Sequence, residues 1–186
     1  MPLEPWQEIS RIGLKLVNGG LTGSRFGNIS LREGGKIYIT CTGSMLDEIA
    51  SDQVVEVDLE GSCPSASSET CVHQAIYRCG DCRAVIHTHS PYSVTLSLVE
   101  EDRIVPIDSE GIAFLGAVPV VEGRFGSQEL ADSVSRALRF HKACVARGHG
   151  AFVTGKCLLE AYTTACMVEH SSQVGYLVKV FQRNVP

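Results

Sequence analysis

Two histidines separated by one residue, His87 and His89, are the first residues of this sequence whose types and spacing could carry chemistry. They end the apolar stretch AVIHTH, which has the pattern of a buried β-strand. Side chains at positions i and i+2 of a strand leave the same face, so the two imidazoles can lie close enough to share an ion. The alternative is a pair of half-exposed histidines that hydrogen-bond to the backbone, which is the commoner arrangement for an isolated His-x-His pair.

A third histidine, His149, lies between two glycines in RGHGAF, at a second predicted strand junction. The flanking glycines give the backbone the freedom to bring this ring against other elements. Three neutral imidazoles around a divalent cation leave one coordination position open, which is typical of a catalytic zinc site and not of a structural one. The pattern therefore favours a metal-binding site.

Cysteines offer a competing metal site. Cys79 and Cys82 in RCGDCRAVIHTH could join His87 and His89 in a structural zinc site, although a strand would have to run straight from the second cysteine to the histidines. The eight cysteines of the chain are scattered, and several lie within apolar periodic segments. Without a secretion signal, we interpret them as buried free thiols.

The segment SSETCVHQAIY, residues 67–77, has the pattern of a helix start. Glu69 falls in the predicted first turn, where a carboxylate is favoured by the helix dipole alone. Ser67 and Ser68, together with the free N–H groups of the helix start, form a natural cradle for an anion. His73 lies four residues along, on the same face as Glu69, and we assign it to structure.

Two further segments, GNIS (27–30) and TGS (42–44), place a glycine beside small hydroxyl or amide side chains at a strand end. Each alone is compatible with a simple turn. Together they offer N–H and O–H donors that suit a phosphate group without an arginine clamp.

Composition excludes several classes of function. The chain has 186 residues, 44% hydrophobic and 20% charged, which suits one well-filled globular domain spanning 1–186. A formal charge of −5 without a Lys/Arg cluster argues against nucleic-acid binding. The N-terminus MPLEPWQEISRIG does not resemble a signal peptide, and no apolar run reaches the roughly 20 residues that a membrane-spanning helix needs. We therefore expect a cytoplasmic protein with no membrane partner.

Helical and strand patterns alternate along the chain without repeats. Helices are predicted at 5–18, from Ser67 or Ser68 to about Cys79, at 90–100, at 127–141, and from about Leu158 to near Phe181, with a short helix after the loop that begins at 42. Strands are predicted at 27–32, 36–40, 54–61, 84–88, 104–107, 117–122, 142–147 and 150–155. This order predicts an α/β fold, a three-layer α/β/α domain whose sheet is mainly antiparallel because many strand pairs are linked as hairpins.

Five segments in this order, GNIS, TCTGSML, SSETCVHQAIY, VIHTHSPYS and RGHGAFVTG, resemble the class II, zinc-dependent aldolase family. That family includes L-fuculose-1-phosphate aldolase and relatives that are epimerases or dehydratases. The resemblance spans nearly the whole chain. It implies a central antiparallel sheet with helices on both sides, a homotetramer, and active sites at subunit interfaces.

The resemblance also implies a role for each matching residue. His87, His89 and His149 would bind one Zn²⁺, and Glu69 would be the catalytic acid and base. The phosphate of a small phosphorylated sugar would be contacted by Asn28, Thr42, Gly43, Ser67 and Ser68.

The implied reaction cleaves or forms a ketose 1-phosphate, giving dihydroxyacetone phosphate and an aldehyde such as lactaldehyde. A zinc ion can stabilise the negative charge of the enediolate as a Lewis acid while Glu69 moves the proton. A dehydratase, decarboxylase or 4-epimerase on the same scaffold is the alternative, and a non-catalytic metal-binding protein is a further one. Epimerases of this family tend to have Asp where this chain has Glu69, which favours an aldolase or a dehydratase.

Two departures from the family pattern stand out. The segment IVPIDSEGIAFLG (104–116) lacks the tyrosine that related aldolases bring from a neighbouring subunit, and Ser109 and Glu110 occupy the region. Glu110 is either a substitute for that tyrosine or an exposed loop charge. The sequence ends at Pro186, so we expect no longer C-terminal tail that closes over the substrate.

Overall fold

A computed structural model describes residues 3–183, in which eight strands form one sheet between two layers of helices. The strands are β1 (Asn28–Glu33), β2 (Lys36–Thr40), β3 (Val54–Val57), β4 (Ala84–Thr88), β5 (Arg103–Ile104), β6 (Val118–Val121), β7 (Ala143–Ala146) and β8 (Gly150–Gly155). The helices are α1 (Pro5–Asn18), α2 (Thr70–Cys79), α3 (Pro91–Ser97), α4 (Gln128–Ala137) and α5 (Leu158–Arg183). Residues 1–2 and 184–186, including the terminal Pro186, lie outside the described part of the chain.

The strand order is β3-β2-β1-β4-β8-β7-β6-β5. All neighbouring strands pair antiparallel except β6 and β7, which are parallel. The prediction of a mainly antiparallel three-layer α/β/α fold is confirmed. The central strands β4 and β8 pair side by side. Because they are antiparallel, the end of β4 lies next to the start of β8.

The period-two alternation of the strands divides the core into two halves. On β1, Ile29 and Leu31 join the hydrophobic cluster on the side of α1, α3 and α5. On β4, Ala84 and Ile86 join the same cluster, whereas Val85 packs in the second cluster, on the side of α2 and α4. Because His87 follows Val85 by two residues, its side chain leaves the sheet on the α2 side.

The helical pattern of the first segment is confirmed, since Ile9, Ile12 and Leu16 are buried on one face of α1. Pro5 stands at the helix start, where its fixed φ is tolerated. The longest helix, α5, has 26 residues and packs against β8 and α3. Over residues 3–183, none of the helices has both the length and the apolar character needed to cross a membrane.

Five local predictions were wrong, two of them only in length, since the strand predicted at 54–61 ends at Val57 and the helix predicted at 127–141 ends at Ala137. The loop that begins at 42 does not enter a short helix directly, and only a single 3₁₀ turn, Ser51–Gln53, follows it. The strand predicted at 104–107 is the two-residue β5, since Pro106 has no N–H to donate to a ladder. The helix predicted at 90–100 ends at Ser97, and an unpredicted π-helical turn occurs at Gly111–Leu115.

Candidate metal centre and active site

Three histidines converge at one end of the central strands. His87 is on β4, His89 follows the strand by one residue, and His149 lies in the turn between β7 and β8. The Nε2 atom of His87 is 3.0 Å from Nε2 of His89 and 3.3 Å from Nε2 of His149. Each of the three residues offers a ligand atom, and these atoms all lie within 4.8 Å of one another. The antiparallel pairing of β4 with β8 therefore joins residues that are 62 positions apart.

The ring of His87 has a defined tautomer. Its Nδ1 lies 3.0 Å from the carbonyl oxygen of Ala151, which can only accept, so Nδ1 carries the hydrogen and Nε2 is bare. Burial and the two neighbouring histidines hold the pKa of His87 well below its usual value. Burial also lowers the pKa of His89 to about 4 and lowers that of His149. Neutral rings whose Nε2 atoms point at a common centre suit a metal, which binds the unprotonated nitrogen of each ring.

A buried carboxylate faces the same centre. Oε2 of Glu69 is 3.2 Å from Nε2 of His87, and Oε1 is 3.8 Å from Nε2 of His149. Oε1 is buried and has no hydrogen-bond partner among the described residues. Burial raises the pKa of Glu69 to about 7, against a lowering effect of the hydrogen bond from Asn28. A buried carboxylate oxygen without a partner, beside neutral imidazoles, has no positive charge near it to compensate its own. These residues therefore fit a divalent cation.

Glu69 occupies a different helix position from the one predicted. Helix α2 begins at Thr70, so Glu69 is the N-cap residue and not part of the first turn. Its side chain makes no capping hydrogen bond and instead accepts one from Nδ2 of Asn28 at 3.1 Å. The carboxylate is thereby directed toward β1 and the histidines, away from the helix end.

A cavity of about 190 Å³ lies beside this centre, with Glu69 and His89 in its wall. All the residues predicted to contact phosphate line it, namely Asn28, Thr42, Gly43, Ser67 and Ser68. The hydroxyl of Ser67 accepts from the Glu69 N–H at 3.3 Å, which leaves its own hydrogen free for a ligand. The hydroxyl of Thr42 donates to the Ala66 carbonyl at 2.8 Å and has to turn to reach a ligand. The five residues are brought together, and their phosphate contacts stay a prediction.

The family follows from a comparison of the whole sequence. The model of the class II aldolase and adducin N-terminal domain family matches residues 7–176, which is most of the chain. The chain belongs to the class II aldolase family. The family resemblance predicted from five short segments is thus confirmed.

Individual relatives of this class II aldolase match most of its length, and one of them is a solved structure with the same fold. A crystal structure of L-fuculose-1-phosphate aldolase from Thermus thermophilus is 36% identical, covers 97% of both chains and has a TM-score of 0.92. An L-fuculose phosphate aldolase of Methanocaldococcus jannaschii is 35% identical over 81% of this chain and 84% of its own length. A 3-oxo-tetronate 4-phosphate decarboxylase of Pectobacterium atrosepticum is 30% identical over 92% of this chain and 83% of its own length.

The cysteine alternative for the metal site is wrong in this class II aldolase. Cys82 precedes β4 and His87 lies near its far end, so the strand holds them roughly 15 Å apart. Cys79 and Cys82 line a different pocket, next to Leu138 and Arg139 of the α4 side. Within residues 3–183, the three histidines are the one group of His, Cys, Asp and Glu side chains arranged to hold a metal.

The segment that replaces the family tyrosine lies on the surface. Ser109 and Glu110 are exposed, and the Ser109 hydroxyl donates to Oε2 of Glu110 at 2.7 Å. Neither residue lines the cavity beside Glu69. Within one chain, Glu110 is therefore an exposed loop charge, and its role toward a neighbouring subunit stays a prediction.

Aromatic side chains around the metal centre were missed by sequence reasoning. Phe152 stacks on His87 with ring centroids 4.1 Å apart, and Phe26 stacks on His89 at 5.6 Å. Phe125 meets the ring of His149 edge-on at 5.4 Å. Phe26 and Phe125 are more than half exposed and form a rim around the centre. The sequence feature that could have indicated Phe26 and Phe125 is the triplet Arg-Phe-Gly, which occurs at 25–27 and again at 124–126. Both triplets lie in loops.

Arg147 is a second residue that the sequence did not reveal. Its guanidinium donates to the carbonyl oxygens of Glu100 and Glu101 at 2.8 and 2.5 Å, and it contacts Glu122 and the Ser97 carbonyl. These bonds tie the end of β7 to the turn after α3, immediately before His149. Arginine in a loop has no distinguishing sequence pattern, because its partners are groups 25 to 50 residues away.

Replacing Gly27 by Ala should destabilise both the fold and the metal centre. Gly27 has φ of +83°, and a Cβ there would collide with the carbonyl oxygen of His87. Gly35 has a similar φ of +86° but open space around it, so Gly35→Ala is the matched control and should cost only about 1–2 kcal/mol for the left-handed backbone. Urea denaturation should show Gly27→Ala to be less stable than the control by a further ~1–3 kcal/mol. Equal losses of unfolding free energy in Gly27→Ala and Gly35→Ala would contradict the close approach of Gly27 to the His87 carbonyl.

The burial of His73 predicts an acid-sensitive fold. Burial lowers the pKa of His73 to about 3, whereas the unfolded chain binds this proton near pH 6.5. The stabilisation is present above pH 6.5 and is lost as the pH falls toward 3, by up to about 1.4 kcal/mol per pH unit. Urea denaturation of the wild type and of His73→Gln at pH 7, 6, 5 and 4 should show a shallower decline in the variant. If the unfolding free energies of the wild type and of His73→Gln declined in parallel with falling pH, His73 would not be a buried neutral ring.

Proposed function

We propose that this class II aldolase cleaves and forms a ketose 1-phosphate, with dihydroxyacetone phosphate and an aldehyde such as lactaldehyde as products, and that its cation is Zn²⁺. One observation carries the proposal. The Nε2 atoms of His87, His89 and His149 and the unpartnered oxygen of Glu69 lie together beside a cavity lined by small polar residues. This is the donor set of a catalytic zinc site next to a group that can move a proton.

The cation would be held by the three histidines and would supply Lewis-acid stabilisation of negative charge. Zinc is proposed because imidazole nitrogens suit it, and the same donors accept cobalt, iron or manganese. The neutral state of the rings, held by burial, keeps these donors available at neutral pH.

Glu69 moves the proton. In cleavage, the aldehyde-forming carbon gives up its hydroxyl proton to solvent as the bond between the two hydroxylated carbons breaks and its oxygen becomes the carbonyl. The phosphate-bearing fragment keeps the electron pair of the broken bond and takes a proton at its carbon, so no proton is gained or lost overall. Glu69 delivers this proton, and in the condensation direction it removes it. Burial raises the pKa of Glu69 and the nearby cation would lower it, so the two effects oppose each other at the group that moves the proton.

The polar residues of the cavity hold the phosphate group. The N-terminus of α2, directly behind Ser67 and Ser68, favours an anion through its dipole, while the N–H groups of Thr70 and Val72 already donate to the carbonyl oxygens of Ser67 and Glu69. Gly43 has φ of +78° in the loop on the opposite wall. Arg25 also lines this cavity, with Nη1 3.5 Å from the Gly43 carbonyl, and adds a positive charge there. A substrate held at its phosphate presents its reacting carbons to Glu69.

A decarboxylase acting on a sugar-acid phosphate is the second candidate, because the Pectobacterium atrosepticum relative that carries this activity in its name aligns with 92% of this chain. Loss of carbon dioxide also leaves an electron pair on a carbon next to a carbonyl group, so the same residues serve both reactions. A dehydratase is a further variant on the scaffold, and Glu69 in place of Asp disfavours the 4-epimerase.

The experiment that tests the proposal incubates the zinc-loaded protein with a panel of ketose 1-phosphates and assays for dihydroxyacetone phosphate. We expect release of dihydroxyacetone phosphate and an aldehyde in equal amounts. Release of carbon dioxide from a 3-oxo acid phosphate without cleavage of any ketose phosphate would replace the aldolase by the decarboxylase. No turnover of either class would contradict both.

We further propose a cytoplasmic, single-domain chain over 1–186 that assembles as a homotetramer with active sites at the interfaces. Large apolar side chains more than half exposed support the assembly, among them Leu98, Val99, Val105, Ile107, Ile112, Phe114 and Phe140. All eight cysteines are free, which suits a reducing compartment. Light scattering should give four times the 20.1 kDa mass of the chain, and the monomer mass would contradict the shared site.

A further inference from the structure

A row of buried polar side chains leads from Glu69 into the layer between β1 and α2. Asn28 and Ser30 alternate on β1 and face α2. Glu69, His73 and Tyr77 follow one another every four residues at the start and along one face of α2. Each of the five side chains is at least nine-tenths buried, and together they form a continuous hydrogen-bonded chain.

The contacts in this row are short. Nδ2 of Asn28 is 3.1 Å from Oε2 of Glu69, and Oδ1 of Asn28 is 2.5 Å from Nε2 of His73. Nδ1 of His73 is 2.6 Å from the hydroxyl of Ser30, which is 2.8 Å from the hydroxyl of Tyr77. Both ring nitrogens of His73 are therefore engaged, and its role is wider than the purely structural one expected from sequence.

The directions of the hydrogen bonds from Glu69 to Ser30 follow from the orientation of the Asn28 amide. Asn28 presents its NH₂ group to Oε2 of Glu69 and its oxygen, which can only accept, to Nε2 of His73. His73 must then donate from Nε2, and its bare Nδ1 accepts from Ser30. Burial keeps the ring neutral by lowering its pKa to about 3, so that it holds a single hydrogen. The opposite tautomer would set the Asn28 amide the other way round, with its oxygen against the carboxylate.

We propose that His73 is a positioning residue of the active site, which holds the Asn28 amide so that its NH₂ group faces and fixes the carboxylate of Glu69. With Oε2 anchored by Asn28, Oε1 is the oxygen left toward His149 and the cavity. The orientation of the group that moves the proton thus depends on a ring that does not line the cavity. The kinetic consequence of this inference rests on the proposed aldolase function.

The two kinetic variants are His73→Leu, which removes both polar contacts, and His73→Gln, which keeps an N–H donor for Asn28. We expect His73→Leu to lower kcat by roughly 10- to 100-fold, the usual effect of losing a partner that orients an active-site group. KM should stay within about threefold, because the phosphate donors of the cavity other than Asn28 are not in contact with His73. His73→Gln should regain most of the lost kcat. All rates are expressed per bound zinc.

Tyr77→Phe is the matched control, because it removes a buried hydrogen bond from the same row but leaves Ser30 able to donate to His73. We expect it to lower thermal stability while kcat stays close to that of the wild type. A purely structural role for the row would lower the stability of all variants and leave kcat per bound zinc unchanged. That result, or a rise in KM alone, would overturn the proposal.

A spectroscopic measurement tests the inference independently of turnover. Two-dimensional ¹H–¹⁵N correlation of ring nitrogens in the zinc-loaded protein, assigned with the His73→Gln variant, shows which nitrogen of His73 carries the hydrogen. We expect hydrogen on Nε2 at neutral pH, and hydrogen on Nδ1 would overturn the proposal. Failure of the aldolase assay with hydrogen on Nε2 would refute the proposed function and leave the positioning of Glu69 standing.

Discussion

Replacing Glu69 by Gln is expected to lower kcat by roughly 10²- to 10⁴-fold, the range that a positioned general acid and base contributes. The substitution keeps the size of the side chain and an oxygen that can accept from Asn28, so the row behind it is preserved. It removes the carboxyl group that we propose moves the proton. Zinc content should stay at about one ion per chain, because the three histidines are untouched.

Glu169→Gln is the control for this substitution. Glu169 is a second buried glutamate with a raised pKa, but it accepts from the backbone N–H groups of Tyr92 and Ser93 at the start of α3, away from the histidines. We expect it to reduce stability and to leave kcat per folded chain intact. Steady-state kinetics on the ketose phosphate identified by the panel checks both variants. A Glu69→Gln enzyme within tenfold of the wild type would contradict Glu69 as the catalytic acid and base.

Replacing His89 by Ala is expected to abolish zinc binding, and with it activity. His89 lies after the end of β4 and is only partly buried, so its loss costs little packing while it removes one of three ligands. The drop in zinc affinity should exceed the roughly 10- to 100-fold that loss of an outer-shell partner causes. Zinc analysis of the purified variant and circular dichroism of its fold provide the measurement.

His141→Ala serves as the matched control for the metal prediction, because His141 is exposed and lies outside the cluster of ligand histidines. Its zinc content should equal that of the wild type. Zinc retained at about one ion per chain by His89→Ala would contradict the coordination scheme.

Much of the fold could be predicted because hydrophobic periodicity is local. The alternation on β1 and β4 and the helical spacing of Ile9, Ile12 and Leu16 are visible in windows of a few residues. The errors fell where the periodicity is weak, as in the loop that begins at 42, or where Pro106 ended a strand early. The π-helical turn at Gly111–Leu115 has no comparable local pattern.

The site was only partly visible in the sequence for a physical reason. The His87 and His89 pair follows from strand geometry, but its convergence with His149 depends on the pairing of β4 with β8, a long-range feature. The engagement of Asn28 with Glu69 and His73 depends in the same way on α2 packing against β1. The amino-acid sequence identifies residues whose side chains could donate hydrogen bonds to a phosphate. It does not show which of these side chains are already hydrogen-bonded to other residues in the folded chain.

X-ray absorption at the zinc edge of the zinc-loaded protein tests the central claim most directly, because nitrogen and sulfur ligands give different distances. We expect one zinc per chain with three imidazole nitrogens at about 2.0–2.1 Å and no sulfur. Sulfur ligands at about 2.3 Å, or zinc bound without imidazole, would contradict it.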